Sequence, residues 1–355
     1  MSTHASGHRT GVGYALLAAG LFGISTPIAK ALLHDAPPQL LAGLLYLGSG
    51  AGLAIVSVVR RGRRRESEAP LTRRDAPWLG AAILFGGVVG PVLLMLGLTH
   101  TPAASASLLL NLEGVFTVLL AWIVFRENVD RRIATGMFAI VLGGVALSWE
   151  GQAVVGGLAG PLAVAAACVC WAVDNNLTQK ASGGDPVQIA MLKGLMAGGV
   201  NVTIAMALGS RLPSVPQIGA ALTVGFLSYG VSLVLFVLAL RHLGTARTGA
   251  YFSLAPFVGA AVALIGLRER PTVAFTVGAS CMAVGVWLHL TERHEHEHVH
   301  EEMEHTHAHV HDEHHQHDHS PDDPLGEPHS HPHRHERLVH SHPHYPDIHH
   351  RHSHG

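Results

Sequence analysis

Charge is scarce in this 355-residue chain: 14% of residues are Asp, Glu, Lys or Arg, 6% are aromatic, and only three are cysteines. A soluble domain carries about 25% charge, so a water-facing surface of ordinary composition is excluded. The three cysteines, Cys168, Cys170 and Cys281, all lie inside apolar runs, which excludes a disulfide framework and a zinc site of paired-Cys spacing. Cys168 and Cys170 are two apart and point to nearly opposite sides of a helix, so they read as small apolar filler. The body has no phosphate loop, no nucleophile elbow and no His-Glu-x-x-His, which argues against an enzyme. No nucleic-acid partner is expected, since the only basic cluster is an Arg loop at residues 60–74.

The charge that is present is unevenly placed. Residues 291–355 hold 14 acids, 4 Arg and 23 of the 29 His, leaving 11 acids and 19 Lys or Arg for residues 1–290. An apolar, net-basic body is joined to an acidic, His-rich tail. In the body, apolar runs of about 20 residues recur too often for a soluble core. Ten are predicted as transmembrane helices: Gly11 to Leu33, Leu40 to Val59, Trp78 to Leu98, Ala103 to Phe125, Ile133 to Trp149, Gly157 to Leu177, Val187 to Leu208, Ile218 to Leu240, Ala246 to Leu267 and Thr272 to Leu290. Each approaches the ~30 Å hydrocarbon thickness at 1.5 Å per residue. Short Pro-bearing turns such as His34 to Pro38 and Thr99 to Pro102 join antiparallel neighbours. The basic loops favour the cytoplasm, which places both termini on the cytoplasmic side of the cell (inner) membrane.

A self-match organises the spans. Gly97-Leu98-Thr99-His100 and Ala239-Leu240-Arg241-His242 each lead into an apolar span ending in Phe125-Arg126-Glu127 or Leu267-Arg268-Glu269, at a constant offset of 142 residues. Earlier in each half an offset of 149 pairs Pro37 with Pro186 and Gln39 with Gln188. The chain reads as two five-span repeats, residues 11–149 and 157–290, between a short N-terminus (residues 1–10) and the tail (residues 291–355). Five is odd, so the second repeat is expected upside down relative to the first. The fold class is therefore all-α, a polytopic membrane protein of ten helices in two inverted repeats, a recurrent plan of secondary transporters.

The two Arg-Glu span ends, with Leu254-Ala255-Pro256-Phe257 and the five-plus-five plan, resemble the EamA-type drug/metabolite transporter superfamily over residues 11–290. The resemblance implies a transporter, often an exporter, of small metabolites such as amino acids, with a central cavity lined by the first, third and fourth helices of each half. One departure stands out: the first repeat has Glu113-Gly114 where the second has Ala255-Pro256.

An ionisable group at mid-bilayer costs roughly 2.5 to 3.5 kcal/mol on insertion scales and marks function by default. Glu113, eleven residues into its span, is the candidate proton-titratable carboxylate or counter-ion to a cationic substrate. Asp174, Asn175 and Lys193 lie about a third of the way into the membrane, where Asp174 and Lys193 form either a structural ion pair or a substrate contact. Arg247 and Tyr251 are spaced to share a face at the start of the ninth span. Lys30 is expected to snorkel to the headgroups.

The tail alternates imidazole with acids and small residues. Neutral imidazole suits Zn, Ni, Co and Cu, and the candidate ligands are His294, His296, His298, His300, His305, His307, His309, His311, His314, His315, His317 and His319. With few aliphatics the tail cannot bury a core and is expected to be disordered. No cofactor is required; the expected partners are a small-molecule substrate, membrane lipid and metal ions, and a homodimer is compatible with the sequence. The leading expectation is proton-coupled export of a small amino-acid-like or cationic metabolite, with the tail as a metal-responsive element. The alternatives are efflux of a divalent transition metal and a membrane-anchored metal buffer that transports nothing.

Overall fold

The computed structural model describes residues 2–61, 76–125, 131–150, 157–180 and 186–291, and in the tail residues 295–300, 303–309, 329–335 and 338–343. The body is helical throughout: α1 (Ser2–Gly23), α2 (Ser25–Leu32), α3 (Pro38–Arg61), α4 (Ala76–Ala82), a first π-helical turn (Ile83–Val89), α5 (Gly90–His100), α6 (Ala103–Leu109), α7 (Leu112–Phe125), α8 (Arg131–Glu150), α9 (Ala159–Lys180), α10 (Pro186–Ala207), α11 (Val215–Val224), a second π-helical turn (Gly225–Val231), α12 (Ser232–Phe252), α13 (Ala255–Gly266) and α14 (Val273–Leu290). Among the described residues, eight helical stretches are long and apolar enough to cross a bilayer, from Thr10–Leu32 to Val273–Leu290. Many of their large apolar side chains face outward, Ile55 at 67% and Val273 at 83% exposure. Such a surface is stable against lipid and not against water, so this is a multi-pass membrane protein.

Two more helices fall on the remaining predicted segments. The first, α9, is 22 residues long but carries Asp174, Asn175 and Asn176. The second, α13, has only 12 residues, because the predicted ninth segment is divided at Ser253-Leu254. The helical backbone of α12 also hides a reversal. The Phe236 and Phe252 rings lie 4.9 Å apart, whereas a straight helix would separate these residues by about 24 Å.

Packing joins the two halves of the chain helix by helix. The main partnerships are α3 with α10, α8 with α14, α1 with α12, α5 with α9, and α6 with α13. Close backbone approach requires glycine at two of them. A Cβ on Gly194 would lie 2.6 Å from the Gly50 nitrogen, and one on Gly285 would lie 2.6 Å from the Gly136 carbonyl oxygen. Gly48 and Gly52, on the other side of α3, face Leu222 and Phe226 in the same way. Small residues four apart thus let α3 fit between two neighbours.

In the tail, where the sequence predicts disorder, the backbone of four segments is extended: β1 (Glu295–His300), β2 (Met303–His309), β3 (His329–His335) and β4 (Leu338–Pro343). β1 pairs antiparallel with β4 and β2 with β3. The strict alternation of His with other residues has the two-residue period of a strand, a signal that a composition argument overlooks. A lone two-stranded ribbon remains marginal in water.

Candidate functional site

The spans carry their irregularities at mid-depth, and proline explains three of them. Proline has no N–H to give the carbonyl four residues earlier. Pro27 leaves the Gly23 carbonyl without a donor, and the helix breaks between α1 and α2; Pro256 does the same to Phe252, and α12 gives way to α13. Pro91 deprives Gly87, within the first π-helical turn. A fourth break, between α6 and α7, has no proline. There Asn111 Nδ2 donates to the Leu108 carbonyl oxygen at 2.9 Å, and the backbone tightens to three-residue hydrogen bonds at Leu110, Asn111 and Glu113. A side chain competing for a helical carbonyl favours such a turn.

The broken helices meet. A Cβ on Gly23 would fall 2.4 Å from the Ala255 carbonyl oxygen, and one on Gly259 would fall 2.6 Å from the Gly23 oxygen and 2.8 Å from Ser107 Oγ. A narrow crevice there is lined by Phe22, Gly23, Thr26, Ser107, Leu110 and Ala255, drawn from all three broken spans.

Glu113 sits in the first turn of α7, just past the α6 break, and its Oε1 accepts a hydrogen bond from Asn175 Nδ2 on α9 at 2.8 Å. The sequence-predicted Asn175 is thus brought to Glu113. Asp174 and Lys193 pair at 2.6 Å, with side-chain exposures of 9% and 18%, and Thr178 Oγ1 donates to the same carboxylate at 2.9 Å. Only glycine fits opposite, since a Cβ on Gly86 would fall 2.0 Å from Asp174 Oδ2.

Around that glycine the structure assembles polar residues that the sequence reading missed. Tyr46 Oη and Trp171 Nε1 both donate to the Gly86 carbonyl oxygen, at 2.8 and 2.9 Å. The Gly87 oxygen orphaned by Pro91 accepts from Asn201 Nδ2 at 3.2 Å, and Asn201 accepts in turn from Gln39 at 2.8 Å. Tyr46 stacks near Tyr229 of the second π-helical turn, 5.7 Å between ring centroids. The signals were present: Pro91 and Asn201 inside two apolar spans, and Gln39 at the edge of a third. π-Helical turns recur at functional sites, and these two are offset by the 142 residues of the self-match.

Other expected residues are not part of this cluster. Tyr251 packs with Val12 and Tyr14 against Ala15, Ala239 and Leu243. The Arg247 backbone lies in α12, and its side chain is outside the described residues. Lys30, expected to snorkel, donates its ammonium to the carbonyl oxygens of Leu98 and Thr101, because orphaned carbonyls at the end of α5 lie within its reach. Of the tail ligands, His296, His298, His300, His305, His307 and His309 are placed by backbone alone, while His294, His311, His314, His315, His317 and His319 lie outside the described residues. Among the described residues, no three His, Cys, Asp or Glu side chains are grouped to hold a metal ion.

Broken helices from both halves of the chain, meeting at one crevice with a carboxylate in the helical turn after the α6/α7 break, are the architecture of a transporter. The model of the EamA-like transporter family matches the chain twice, over residues 9–149 and 158–291, and the chain belongs to that family. It is 32% identical over 282 residues to an uncharacterized transporter of Methanothermobacter thermautotrophicus, covering 75% of this chain and 82% of that one. It is 26% identical to a probable amino-acid metabolite efflux pump of Salmonella typhimurium, covering 78% and 93%. A probable terminal-alkyne amino-acid exporter of Streptantibioticus cattleyicolor is 29% identical, over 61% and 73%. A solved crystal structure of a protein superimposes with a TM-score of 0.57 at 18% identity, over 78% of this chain and 95% of that chain, which is a likeness of fold alone. These names point to transport rather than to enzyme chemistry.

Proposed function

We propose that the chain exports a small amino-acid-like metabolite across the cell membrane, driven by protons, through alternating access of two inverted five-span halves. The carrying observation is the meeting of the α1/α2, α6/α7 and α12/α13 breaks at one crevice, with Glu113 and its partner Asn175 at the helical turn that follows the α6/α7 break. The pairing of helices across the halves and the recurrence of the π-helical turn at the repeat offset support the ten-span inverted plan. The two relatives named for amino-acid efflux or export support the substrate class and the direction. Glu113 is the coupling carboxylate: it releases a proton to one face and takes one up from the other as the halves rock. The Asp174–Lys193 pair braces α9 against α10, so that Asn175 is held towards Glu113.

The tail is a cytoplasmic element for divalent transition metals. The strand register supports this reading, since it sets His305, His307 and His309 opposite His333, His331 and His329, and His296 and His298 opposite His342 and His340. Directly opposed strand positions have Cβ atoms about 4.5–5.5 Å apart, a spacing suited to two imidazoles sharing one ion.

The test is uptake into everted membrane vesicles energised with an acidic interior, comparing L-threonine and L-phenylalanine with Zn and Ni ions. Amino-acid uptake abolished by a protonophore is expected. Metal uptake without amino-acid uptake would replace this reading with metal efflux.

A further inference from the structure

Away from the mid-depth crevice, a cavity of about 360 Å³ opens between the two halves at the end of the bundle that holds Lys30, His100, Glu269 and Arg270. Small-molecule sites begin at about 300 Å³, so its size suits a molecule no larger than an amino acid. Glu269 reaches it because the chain turns through Arg268, whose φ of 56° is left-handed and uncommon for a non-glycine residue. Its Oε1 accepts from the Ala103 N–H and its Oε2 from the Ala104 N–H, each at 2.8 Å.

The unused hydrogen-bonding capacity of these groups defines a ligand. A carboxylate offers about four acceptor positions and an ammonium three donors. Glu269 has two acceptor positions left. Lys30, bonded to the Leu98 and Thr101 carbonyl oxygens, has one donor left. Arg270 and His100 are exposed on the same cavity, and Leu264 and Phe275 give it an apolar wall.

We infer that this cavity binds a zwitterionic amino acid, with its ammonium on Glu269, its carboxylate on Lys30 and Arg270, and its side chain against Leu264 and Phe275. A plain carboxylate would face Glu269 uncompensated, and a plain amine would face Lys30 and Arg270, so each half-molecule binds less well than the whole. The role of the site rests on the export reading. With the basic loops inside, the cavity lies at the outer end of the bundle, where it holds the substrate on its way out.

The full chain in nanodiscs, with radiolabelled L-phenylalanine as probe, tests the site by equilibrium binding. Unlabelled L-phenylalanine should displace the probe at concentrations at least about tenfold below those needed for phenethylamine or 3-phenylpropionate. Arg270→Gln, at an exposed position, should weaken binding about tenfold, the value of one charge-assisted hydrogen bond. Wild-type affinity in both Arg270→Gln and Lys30→Met, or no binding to the wild type at millimolar probe, overturns the inference whatever the flux assays give. Arg270-dependent binding without any L-phenylalanine flux would leave the site standing and overturn the export reading instead.

Discussion

Replacing Lys193 by Met isolates the ion pair on which the placement of α9 depends. Asp174 and Lys193 approach to 2.6 Å with little exposure. At an effective dielectric of 20 their gross attraction is about 6 kcal/mol, most of it offset by the cost of taking both charges out of water. Removing one partner loses the attraction and keeps the other's desolvation cost, a destabilisation of about 3–5 kcal/mol. Among the described residues Thr178 would be the one side-chain donor left to Asp174, whose carboxylate packs directly against Gly86. If even half of a 3 kcal/mol loss appears in the unfolding barrier, the heat-inactivation half-life in detergent falls about tenfold. The double variant Lys193→Met with Asp174→Asn removes both charges and should recover at least half of that loss. Heat-inactivation rates of the wild type, the single and the double variant decide the matter. A single variant as durable as the wild type, or a double variant worse than the single, would refute the pair as a structural brace.

Gly194→Val would place a branched side chain where a Cβ already meets the Gly50 backbone at 2.6 Å; overpacking of this kind costs at least about 1–3 kcal/mol, so the yield of monodisperse protein should fall, and an unchanged yield would deny the close α3–α10 contact. Deleting residues 294–355 should leave the body folded and inserted, because the contacts between body helices do not involve the tail strands. Size-exclusion profiles of the truncated chain check this, while nickel or zinc binding to the intact chain should drop to background on truncation. Failure of the truncated chain to insert would show that the tail completes the body.

The apolar spans were legible because lipid demands long apolar runs, and Pro-bearing turns were read where α3 and α6 begin. The offset of 142 residues was legible as a repeat of letters, and it reappears in the structure in the two π-helical turns, while the breaks at Leu110-Asn111 and Ser253-Leu254 lie 143 residues apart. The breaks themselves were missed because hydropathy averages over them. Pro27, Pro91 and Pro256 sit among apolar neighbours and leave the mean unchanged, yet each removes a helical donor, and the Gly87 carbonyl left by Pro91 is taken up by Asn201. Glu113 stood out by cost alone. Its partner Asn175 was named without being joined to it, because their meeting depends on how α7 crosses α9. The partners of Lys30 were missed for a related reason: carbonyls freed at the end of α5 are invisible until the end itself is placed.

The central claim is that Glu113 couples protons to transport, and the Gln variant tests it most directly. Gln keeps the hydrogen-bonding shape towards Asn175 and loses the titrating group. Wild type and Glu113→Gln, reconstituted at equal density, are compared for amino-acid counterflow at uniform pH and for flux driven by a pH gradient. Counterflow retained with gradient-driven flux lost is the predicted result. Gradient-driven flux equal to the wild type, in a variant of normal stability, would contradict the account and leave Glu113 a wall residue.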